Sequence, residues 1–420
     1  MTNRPTTTAL FLSLLLVTSA FVPAQAQTNT LEAVHPETEA DFQTWLQDFK
    51  KQARASGISQ ATLKQAFKGV HLNHKVLSSD RRQPEFSNTF FEYFNRAVSK
   101  HRISRGQFNY QKHQKLLDSV TQKYGVPGRI LVAFWGMETN YGSYTGNIPI
   151  IESLATLSYD PRRTRFFSQQ LMDALKIIDQ NHLKISQMKG SWAGAMGQCQ
   201  FMPFNYLKYG VDGDGDGKVN LWDSLPDVFH SAGNFLQQLG WQKGQSWGRE
   251  VTLPKGFNLA LADGKTPHSL SYWRDLGITQ ANGVALANVA DMQAKLLLPS
   301  DYRGPAFLVY DNFGIIKRWN NSNNYALAVG HLADRIVNKP PLTKTQPKDD
   351  KGLANEQMKQ IQIHLNTLGF SAGKPDGIAG SNTRKALRAF QVQQKIPADG
   401  YPSLRMLNLL KKAVETQSKA

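Results

Sequence analysis

A polar, proline-rich segment divides this 420-residue chain into two unequal parts. Residues 339–352 read KPPLTKTQPKDDKG, a composition dominated by proline, lysine and aspartate. Such a stretch has too little apolar surface to form a core, and it predicts a linker. We therefore expect a large domain over residues 30–338 and a small domain over residues 353–415, each long enough to fold around its own core.

The chain begins with the pattern of a secretory signal peptide over residues 1–26. Arg4 precedes an apolar run at residues 9–17, and Ala-Gln-Ala at residues 24–26 has the small-residue spacing of a cleavage site. The run is too short to span a bilayer comfortably, which disfavours the alternative of an uncleaved anchor. No cysteine stands nearby to receive a lipid, and no later stretch resembles a transmembrane helix, so we predict an exported protein.

The cysteine content and the net charge limit how the chain can be stabilised and which molecules it can bind. Cys199 is the only cysteine, so an internal disulfide is excluded, and we expect a small buried apolar residue rather than a nucleophile. The chain has 49 Lys and Arg against 32 Asp and Glu, a formal net charge of +17. This field favours polyanions such as anionic glycans or lipid surfaces, although a solvated basic surface is the alternative. No nucleic-acid recognition motif is present.

The large domain is predicted to be mainly helical. Apolar residues recur at helical spacing over residues 42–49 and again over residues 61–67. Strand-like alternation is scarce, and residues 305–310 form the one short stretch that we interpret as a strand.

The small domain is predicted to contain three helices. The first covers residues 358–368 and ends at Gly369, the second is capped by Ser381 or Asn382, and the third includes residues 404–410. The apolar face of the second helix comprises Ala386, Leu387, Phe390 and Val392.

One carboxyl group continues the apolar face of a predicted helix. Pro127 stands near the start of this helix, and Ile130, Phe134 and Glu138 follow at intervals of four residues before Gly142 allows a turn. Apolar neighbours and the negative helix end both raise the pKa of a carboxyl group in this position. A raised pKa suits a general acid near neutral pH. A solvent-exposed glutamate at a helix end is the alternative.

Three ordered motifs include this glutamate or follow it. Residues 133–142 read AFWGMETNYG, residues 154–163 read LATLSYDPRR, and residues 190–203 read GSWAGAMGQCQFMP. Together they resemble the membrane-bound lytic murein transglycosylase B family across roughly residues 35–338. The resemblance implies a mainly α protein whose catalytic domain has an α+β lysozyme-like fold. It also implies an enzyme that acts on peptidoglycan in the periplasm, either soluble or associated with the wall.

The resemblance also implies a reaction. Glu138 would protonate the glycosidic oxygen between N-acetylmuramic acid (MurNAc) and N-acetylglucosamine (GlcNAc), and would then act as base on the 6-hydroxyl of that MurNAc, which closes a 1,6-anhydro ring. One carboxyl group suffices for this lyase-type cleavage, where glycosidases ordinarily use two. Glu152 and Asp160 are the nearest candidates for a second carboxylate. We expect Asp160 to position an arginine pair instead.

Substrate-binding residues follow from the same resemblance. Ser191 and Gln200 match positions that hydrogen-bond the substrate near the acid. Arg162 and Arg163 are predicted to contact lactyl or peptide carboxylates, with a structural salt bridge as an equally weighted alternative. The expected aromatic and polar lining of the glycan groove comprises Tyr93, Phe235, Trp319, Asn320 and Tyr325. Phe235 and Trp319 stand where the family can carry tyrosine, which puts the contacts of those subsites in doubt.

An acidic loop over residues 212–223 resembles the first part of a calcium-binding EF-hand loop. Carboxylates stand at its first, third and fifth positions, and a glycine stands at the sixth. The twelfth position is Asp223 rather than glutamate, and Asp227 is a second possible closing ligand. The predicted calcium ligands are Asp212, Asp214, Asp216 and Asp227, and the alternative is a solvated acidic turn. No cofactor is expected to be required.

The C-terminal residues resemble a small peptidoglycan-binding domain. The matching segments are LNTLGF at residues 365–370, DGIAG at 376–380 and TRKALRAFQ at 383–391. A tethered wall-binding module would raise the local concentration of substrate. A lytic transglycosylase, a hydrolytic muramidase and a non-catalytic wall-binding protein remain as hypotheses, the first favoured and the last opposed by Glu138, Ser191 and Gln200. A monomer is expected.

Overall fold

Helices dominate the chain. The computed structural model describes residues 38–81, 89–180, 183–289 and 292–418, so the predicted signal peptide lies outside it. The helices of the large N-terminal part are α1 (Glu39–Ala55), α2 (Gln60–Ala66), α3 (His74–Arg81), α4 (Phe90–Ala97), α5 (Lys100–Lys112), α6 (Gln114–Tyr124), α7 (Gly128–Thr139), α8 (Ile150–Tyr159), α9 (Thr164–Asp179), α10 (Pro203–Tyr209), α11 (Leu225–Gln238), α12 (Leu270–Asp275), α13 (Asp311–Trp319) and α14 (Asn323–Ile336). In the described residues, no helix combines the length and apolar character needed to cross a membrane.

The apolar periodicity correctly placed the first two helices. In α1, Phe42, Leu46 and Phe49 are buried in the main core, at the spacing of one helical face. Helix α2 begins after Ser59, whose hydroxyl accepts a hydrogen bond from the Thr62 amide as an N-cap.

A five-stranded antiparallel sheet was largely missed by the sequence analysis. The strands are β1 (Ile148–Pro149), β2 (Lys189–Gly190), β3 (Gly248–Thr252), β4 (His268–Ser269), β5 (Thr279–Gln280), β6 (Gln293–Leu297) and β7 (Ala306–Val309). The sheet has the order β4-β6-β7-β3-β5, while β1 and β2 pair separately. The predicted strand at residues 305–310 corresponds to β7, which is fully buried. Strands β1, β2, β4 and β5 have two residues each, too few to show an alternation, and the alternation of β6 between exposed and buried residues covers only five residues.

The C-terminal module contains three helices, α15 (Asn355–Thr367), α16 (Ser381–Gln393) and α17 (Leu404–Gln417). Its core includes Leu365, Leu387 and Phe390. Two expectations were wrong. Helix α16 begins after Gly380 without a side-chain cap, so neither Ser381 nor Asn382 caps it. Val392 is exposed, because it lies off the face that Leu387 and Phe390 present to the core.

The C-terminal module packs against the rest of the chain. The Arg388 guanidinium donates to the Ala262 carbonyl, at 3.2 Å, and the Tyr302 amide donates to the Asp399 carboxylate, at 3.0 Å. The connecting residues 339–352 contain no helix or strand, but the Thr343 amide and hydroxyl both donate to Glu250. Residues from Glu39 onwards form one compact unit.

Candidate active site

Helix α7 carries Glu138 in its last turn. Phe134 and Ile130, one and two turns earlier on the same face, are buried, and the helix packs against α5, α6, α11 and α14. The sequence analysis predicted that the chain turns at Gly142, after the end of this helix. The structure begins the turn earlier, because Asn140 and Tyr141 already have positive φ angles of 50° and 61°. Asparagine tolerates this left-handed conformation better than most residues do, and it ends the helix directly after the turn that carries Glu138.

The Glu138 carboxyl group is desolvated. The residue retains some exposed surface, but its carboxyl group is enclosed by protein, and burial raises the pKa of Glu138 to about 7. A hydrogen bond from Tyr325 opposes this rise only in part. Cys199 lies close enough for the two groups to interact electrostatically, and burial raises the pKa of its thiol well above the usual range. Cys199 is therefore a buried thiol, as predicted, and not an activated nucleophile.

Tyr325 is placed on Glu138 by the start of α14. The Ser322 hydroxyl accepts a hydrogen bond from the Tyr325 amide and caps this helix. The Tyr325 hydroxyl donates to Glu138 Oε1. Tyr93 of α4 lies near enough to interact electrostatically with Tyr325, and burial raises the pKa of the Tyr325 phenol. Three predicted site residues thus come together from α4, α7 and α14.

Aromatic rings form one wall beside α7. Trp319 is partly exposed and stacks on Phe134, with ring centroids 4.3 Å apart and an interplanar angle of 25°. Phe235 does not lie at the groove surface, which corrects its assignment as a substrate-binding residue. It is 4% exposed and contacts the Trp319 ring edge-on at 5.0 Å, so it supports the tryptophan from below. Asn320 follows α13 and is exposed.

The loop over residues 190–203 carries Ser191 and Gln200, and hydrogen bonds hold both side chains. The Ser191 hydroxyl oxygen accepts from the Ala195 amide at 3.1 Å. The Gln200 amide nitrogen donates to the carbonyls of Thr145 and Gly197, at 3.0 and 2.9 Å. Within the described chain, the amide oxygen of Gln200 and the hydroxyl hydrogen of Ser191 have no partner, so both can serve a ligand.

Gln198 connects this loop to helix α7, and the sequence analysis missed it. Its side-chain oxygen accepts from the Trp135 indole at 2.7 Å, and its amide nitrogen donates to the Trp222 carbonyl at 2.5 Å. Its backbone carbonyl accepts from the Thr139 hydroxyl at 3.0 Å, one residue after Glu138. The sequence offered one signal for this role, a glutamine within a glycine-rich and apolar stretch. A glutamine that is buried there needs hydrogen-bond partners on both polar atoms of its side chain.

Close packing explains the small residues of the loop. A Cβ at Gly194 would lie 2.5 Å from Leu154 Cδ2, and a Cβ at Gly197 would lie 2.5 Å from the Leu221 carbonyl oxygen. Both glycines also have positive φ angles. These contacts are with the protein itself, so packing and backbone conformation account for both glycines without a ligand.

Arg162 and Arg163 lie in an ion-pair network. Arg162 binds Asp160 and Asp80, with shortest distances of 2.9 and 2.5 Å, and Arg163 pairs with Asp80. Asp160 thus holds Arg162 as expected. Both guanidinium groups remain more than 40% exposed, and none of these contacts reaches Glu138. Glu152 accepts a hydrogen bond from Asn73 instead of approaching the acid.

The acidic loop gathers three carboxylates. Oxygen atoms of Asp212, Asp214 and Asp227 all lie within 4.8 Å of one another. Asp216 is not a member of this cluster, because its carboxylate turns back to accept from the Lys218 amide. Asp227 is fully buried and accepts from the amides of Gly213 and Asn220. Asp227, rather than Asp223, is the third member of the cluster. All three residues offer only oxygen atoms as ligands, which suits a hard cation such as Ca²⁺.

Family models match both parts of the chain. The transglycosylase SLT domain matches residues 41–334, which include the whole site around Glu138. The chain belongs to the SLT transglycosylase family. In this SLT transglycosylase, the C-terminal residues 354–410 match the peptidoglycan binding domain.

Known lytic transglycosylases are similar to this chain in sequence and in fold. Membrane-bound lytic murein transglycosylase B of Escherichia coli (strain K12) is 34% identical over 258 residues, which cover 60% of this chain and 68% of that protein. The crystal structure of SltB3 from Pseudomonas aeruginosa, in complex with NAG-anhNAM-pentapeptide, is 44% identical with a TM-score of 0.85, over 88% of this chain and 99% of that one. Escherichia coli Slt35 in complex with calcium is 30% identical with a TM-score of 0.60, over 70% and 92% of the respective chains.

Proposed function

We propose that this protein is a lytic transglycosylase that cleaves the β-1,4 bond between MurNAc and GlcNAc in peptidoglycan and leaves 1,6-anhydro-MurNAc ends. The observation that carries the proposal is Glu138, a desolvated carboxyl group with a pKa near 7 in a chain that matches the SLT domain over residues 41–334. At neutral pH such a group populates both its acid and its base forms, as a residue with both roles requires.

Glu138 performs two proton transfers in sequence. It first donates its proton to the glycosidic oxygen, and the bond from C1 of MurNAc to that oxygen breaks. The resulting carboxylate then takes the proton of the MurNAc 6-hydroxyl, whose oxygen bonds to C1 and closes the anhydro ring. Glu138 is protonated again and no water is consumed. The hydrogen bond from Tyr325 stabilises the carboxylate between the two transfers.

The arrangement of carboxyl groups supports a single-acid reaction. Hydrolytic glycosidases generally use two carboxyl groups that flank the bond. Glu152 is bound to Asn73 and Asp160 to Arg162, so neither of the two candidates is directed at the reaction centre. The reaction therefore draws its nucleophile from the substrate.

Neutral and aromatic groups around Glu138 fit a sugar chain. Ser191 and Gln200 offer a hydroxyl hydrogen and an amide oxygen, and the partly exposed ring of Trp319 offers a stacking face. Tyr93, Tyr325 and Asn320 complete the proposed lining. Arg162 and Arg163 remain candidates for peptide carboxylates on their exposed sides.

Calcium is proposed as a structural ligand of Asp212, Asp214 and Asp227. Three carboxylates within 4.8 Å of one another repel each other, and a divalent cation would remove that repulsion. Asp216 is outside this set. The ion would stabilise the loop and supply no step of the reaction, since Glu138 interacts with none of the three.

The cellular setting follows from the signal peptide and the C-terminal module. We infer that the chain is exported to the periplasm, works there as a monomer, and is soluble or associated with the wall. Residues 353–415 are proposed to hold it on peptidoglycan, and residues 339–352 to connect the two parts. Polyanionic glycan, rather than nucleic acid, is the partner proposed for its positive charge of +17.

Digestion of purified sacculi tests this function. The wild-type protein is expected to release anhydro-muropeptides, and Glu138→Gln is expected to lose nearly all activity because it can neither donate nor accept the proton. Mass spectrometry separates the alternatives, since a hydrolytic muramidase would yield products heavier by one water per cut. Unchanged lysis by Glu138→Gln would show that another residue is the acid.

A further inference from the structure

Residues 93–117 contain six Lys and Arg and two His, but no Asp or Glu. This acid-free segment covers the whole of α5 and the first turn of α6. A run of like charges ordinarily forms a solvated face, so its arrangement in the structure decides whether it can bind a partner.

Helix α5 has an inner and an outer side. On the inner side Gly106 and Asn109 are buried, and a Cβ at Gly106 would lie 2.6 Å from the Tyr141 hydroxyl oxygen. The residues of the outer side follow at intervals of three or four, so they share one face of the helix. This basic face comprises His101, Arg105, Phe108 and Lys112, together with Lys115 at the start of α6. All of them are exposed except Arg105, which is half-buried.

The cations of the basic face have no acidic partner. Among the residues that the structure describes, Arg105, Lys112 and Lys115 form no ion pair. The Arg105 guanidinium lies over the Tyr141 ring, 5.7 Å from its centroid, and the Lys112 ammonium lies 6.0 Å from the centroid of the Phe108 ring. The positive charge of this face is therefore available to a ligand.

Exposed lysines on other helices are arranged differently. Lys51 on α1 pairs with Asp48 at 2.8 Å, and Lys176 on α9 pairs with Asp173 at 3.0 Å. In both cases the carboxylate stands three residues earlier on the same helix, a position that no acidic residue occupies anywhere on α5. The lack of pairing is thus a property of α5 and not of surface lysines in general.

Phe108 is a second feature of the basic face, independent of its charge. Its side chain is 63% exposed, with Arg105 one turn before it and Lys112 one turn after it. Exposed aromatic surface is unfavourable in water. The same ring is favourable where it can leave water while the cations on either side stay at a charged interface.

The shape of the basic face fits a lipid surface better than a single polymer chain. A helix exterior is convex, and the row from His101 to Lys112 extends over roughly 17 Å along the axis. Small ligands are held in concave sites. A bilayer can instead meet a convex face, because its anionic headgroups surround each cation and its interfacial region accepts an apolar ring.

We propose that the basic face of α5 docks the protein on a bilayer that contains anionic phospholipids. Phe108 enters the headgroup region, and Arg105, Lys112 and Lys115 lie beside the lipid phosphates. The contact is peripheral and goes beyond the proposed function, because it involves neither Glu138 nor the glycan. It adds a second polyanionic partner, and a docked enzyme reaches the glycan nearest the membrane first.

Sedimentation with lipid vesicles tests the proposal on the protein without its predicted signal peptide. The wild type is expected to bind vesicles of phosphatidylglycerol and phosphatidylcholine, but not vesicles of phosphatidylcholine alone. Lys112→Gln combined with Lys115→Gln should weaken binding about 20-fold, since each cation contributes about fivefold. Phe108→Ser should weaken it about tenfold, because the apolar contact is lost. Added salt should also weaken binding, since it screens surface charges.

Matched controls carry the same changes at other places. Lys64→Gln combined with Lys68→Gln removes two exposed charges at α2, and Phe166→Ser removes an aromatic ring that is 50% exposed on α9. Both controls should bind vesicles like the wild type, and so should Glu138→Gln. The variants of the basic face should digest purified sacculi, which contain no lipid, at the wild-type rate.

Three results would overturn the proposal. The first is a wild-type protein that does not sediment with the anionic vesicles. The second is an equal loss of binding in the controls, which would show that only net charge matters. The third is a set of basic-face variants that bind vesicles normally and lose binding to sacculi, which would assign the face to the glycan. A wild-type protein that does not digest sacculi would instead contradict the proposed function, so the two failures are distinguishable.

Discussion

Glu138 combines partial exposure with a desolvated carboxyl group, and its pKa of about 7 follows from that combination. The ordinary pKa of a glutamate is 4.5, so its pKa is higher in the folded protein than in the unfolded chain. Above pH 7 the folded protein must therefore hold the ionised carboxylate in a buried position. The native state binds the proton more tightly than the unfolded chain does. The stability that this group contributes is therefore greatest at low pH and is lost as the pH rises through the range 4.5–7.

The Glu138→Gln variant is accordingly expected to be more stable than the wild type at pH 8. The neutral amide removes the burial of a charge, and the gain is up to about 3 kcal/mol. At pH 4 the two proteins are expected to be equally stable. Denaturant unfolding at both pH values measures the difference, with the exposed Glu415→Gln as control. A gain of equal size at both pH values would contradict the assignment of the buried charge.

Tyr325 adjusts the same equilibrium in the opposite direction. Its hydroxyl stabilises the carboxylate and so lowers the pKa of Glu138. In Tyr325→Phe the pKa of Glu138 should rise, and the alkaline limb of the kcat/KM profile should move to higher pH. Tyr144→Phe, at an exposed tyrosine, should leave the profile where it is. A limb that moved to lower pH would show that the tyrosine does not stabilise the charged form.

At the scale of elements, the end of α7 depends on the loop that follows β2. Gln198 holds the two together through Trp135, Thr139 and the Trp222 carbonyl. The helix therefore does not position its glutamate alone. A residue that never meets the substrate can affect the rate by moving the acid.

Gln198→Leu is expected to lower the free energy of unfolding by about 2–4 kcal/mol, because two buried polar groups lose their partners. It should also reduce kcat more than it changes KM, since the glutamate shifts while the glycan contacts remain. Gln238→Leu, an exposed position on α11, serves as control. Thermal unfolding and steady-state kinetics measure the two effects. If kcat stayed at the wild-type value, Gln198 would have only a structural role.

The acidic loop before α11 gives a second prediction at this scale. If Ca²⁺ binds Asp212, Asp214 and Asp227, an ion concentration of 100 times Kd adds about 2.7 kcal/mol of stability. The melting temperature should then rise with Ca²⁺ and fall with EDTA. Asp214→Ala should abolish this response, whereas Asp275→Ala, at an exposed carboxylate elsewhere, should retain it. If the melting temperature of the wild-type protein did not change with Ca²⁺, the proposed calcium site would be wrong.

At the scale of the whole molecule, the C-terminal module is bound to the body and not merely tethered to it. Asp399 accepts from Tyr302 of the body and from Gln391 and the Tyr401 amide of the module. The Arg303 guanidinium pairs with Asp349 at 2.9 Å and also with Asp301. Together these contacts hold the connecting segment and the module against the body.

Asp399→Ala should weaken this attachment. The wild-type protein is expected to unfold in one calorimetric transition, because the module and the body stabilise each other through their interface. The variant is expected to show two transitions, with the module melting first. Glu415→Ala, exposed on α17, should keep the single transition. Two transitions already present in the wild type would mean that the interface contributes little to stability.

The sequence by itself determined the family and several of the helices, and it predicted Glu138 as the acid. Helical periodicity placed α1 and α2, and glycine ended α15, because these features depend on residues within a few positions of each other. The ordered motifs identified the family and singled out Glu138. The strand content and the cap of α16 were missed or wrong, since the neighbouring residues carried no distinguishing pattern.

Only the tertiary structure decided which residues surround Glu138. Tyr325 lies 187 positions away in the sequence, and Phe235, which was expected in the groove lining together with Trp319, is buried against the Trp319 ring. Packing across distant segments also set the pKa of Glu138 and gathered the carboxylates around Asp227. Burial and charge at a point depend on every segment that reaches it, and local sequence patterns do not contain that information.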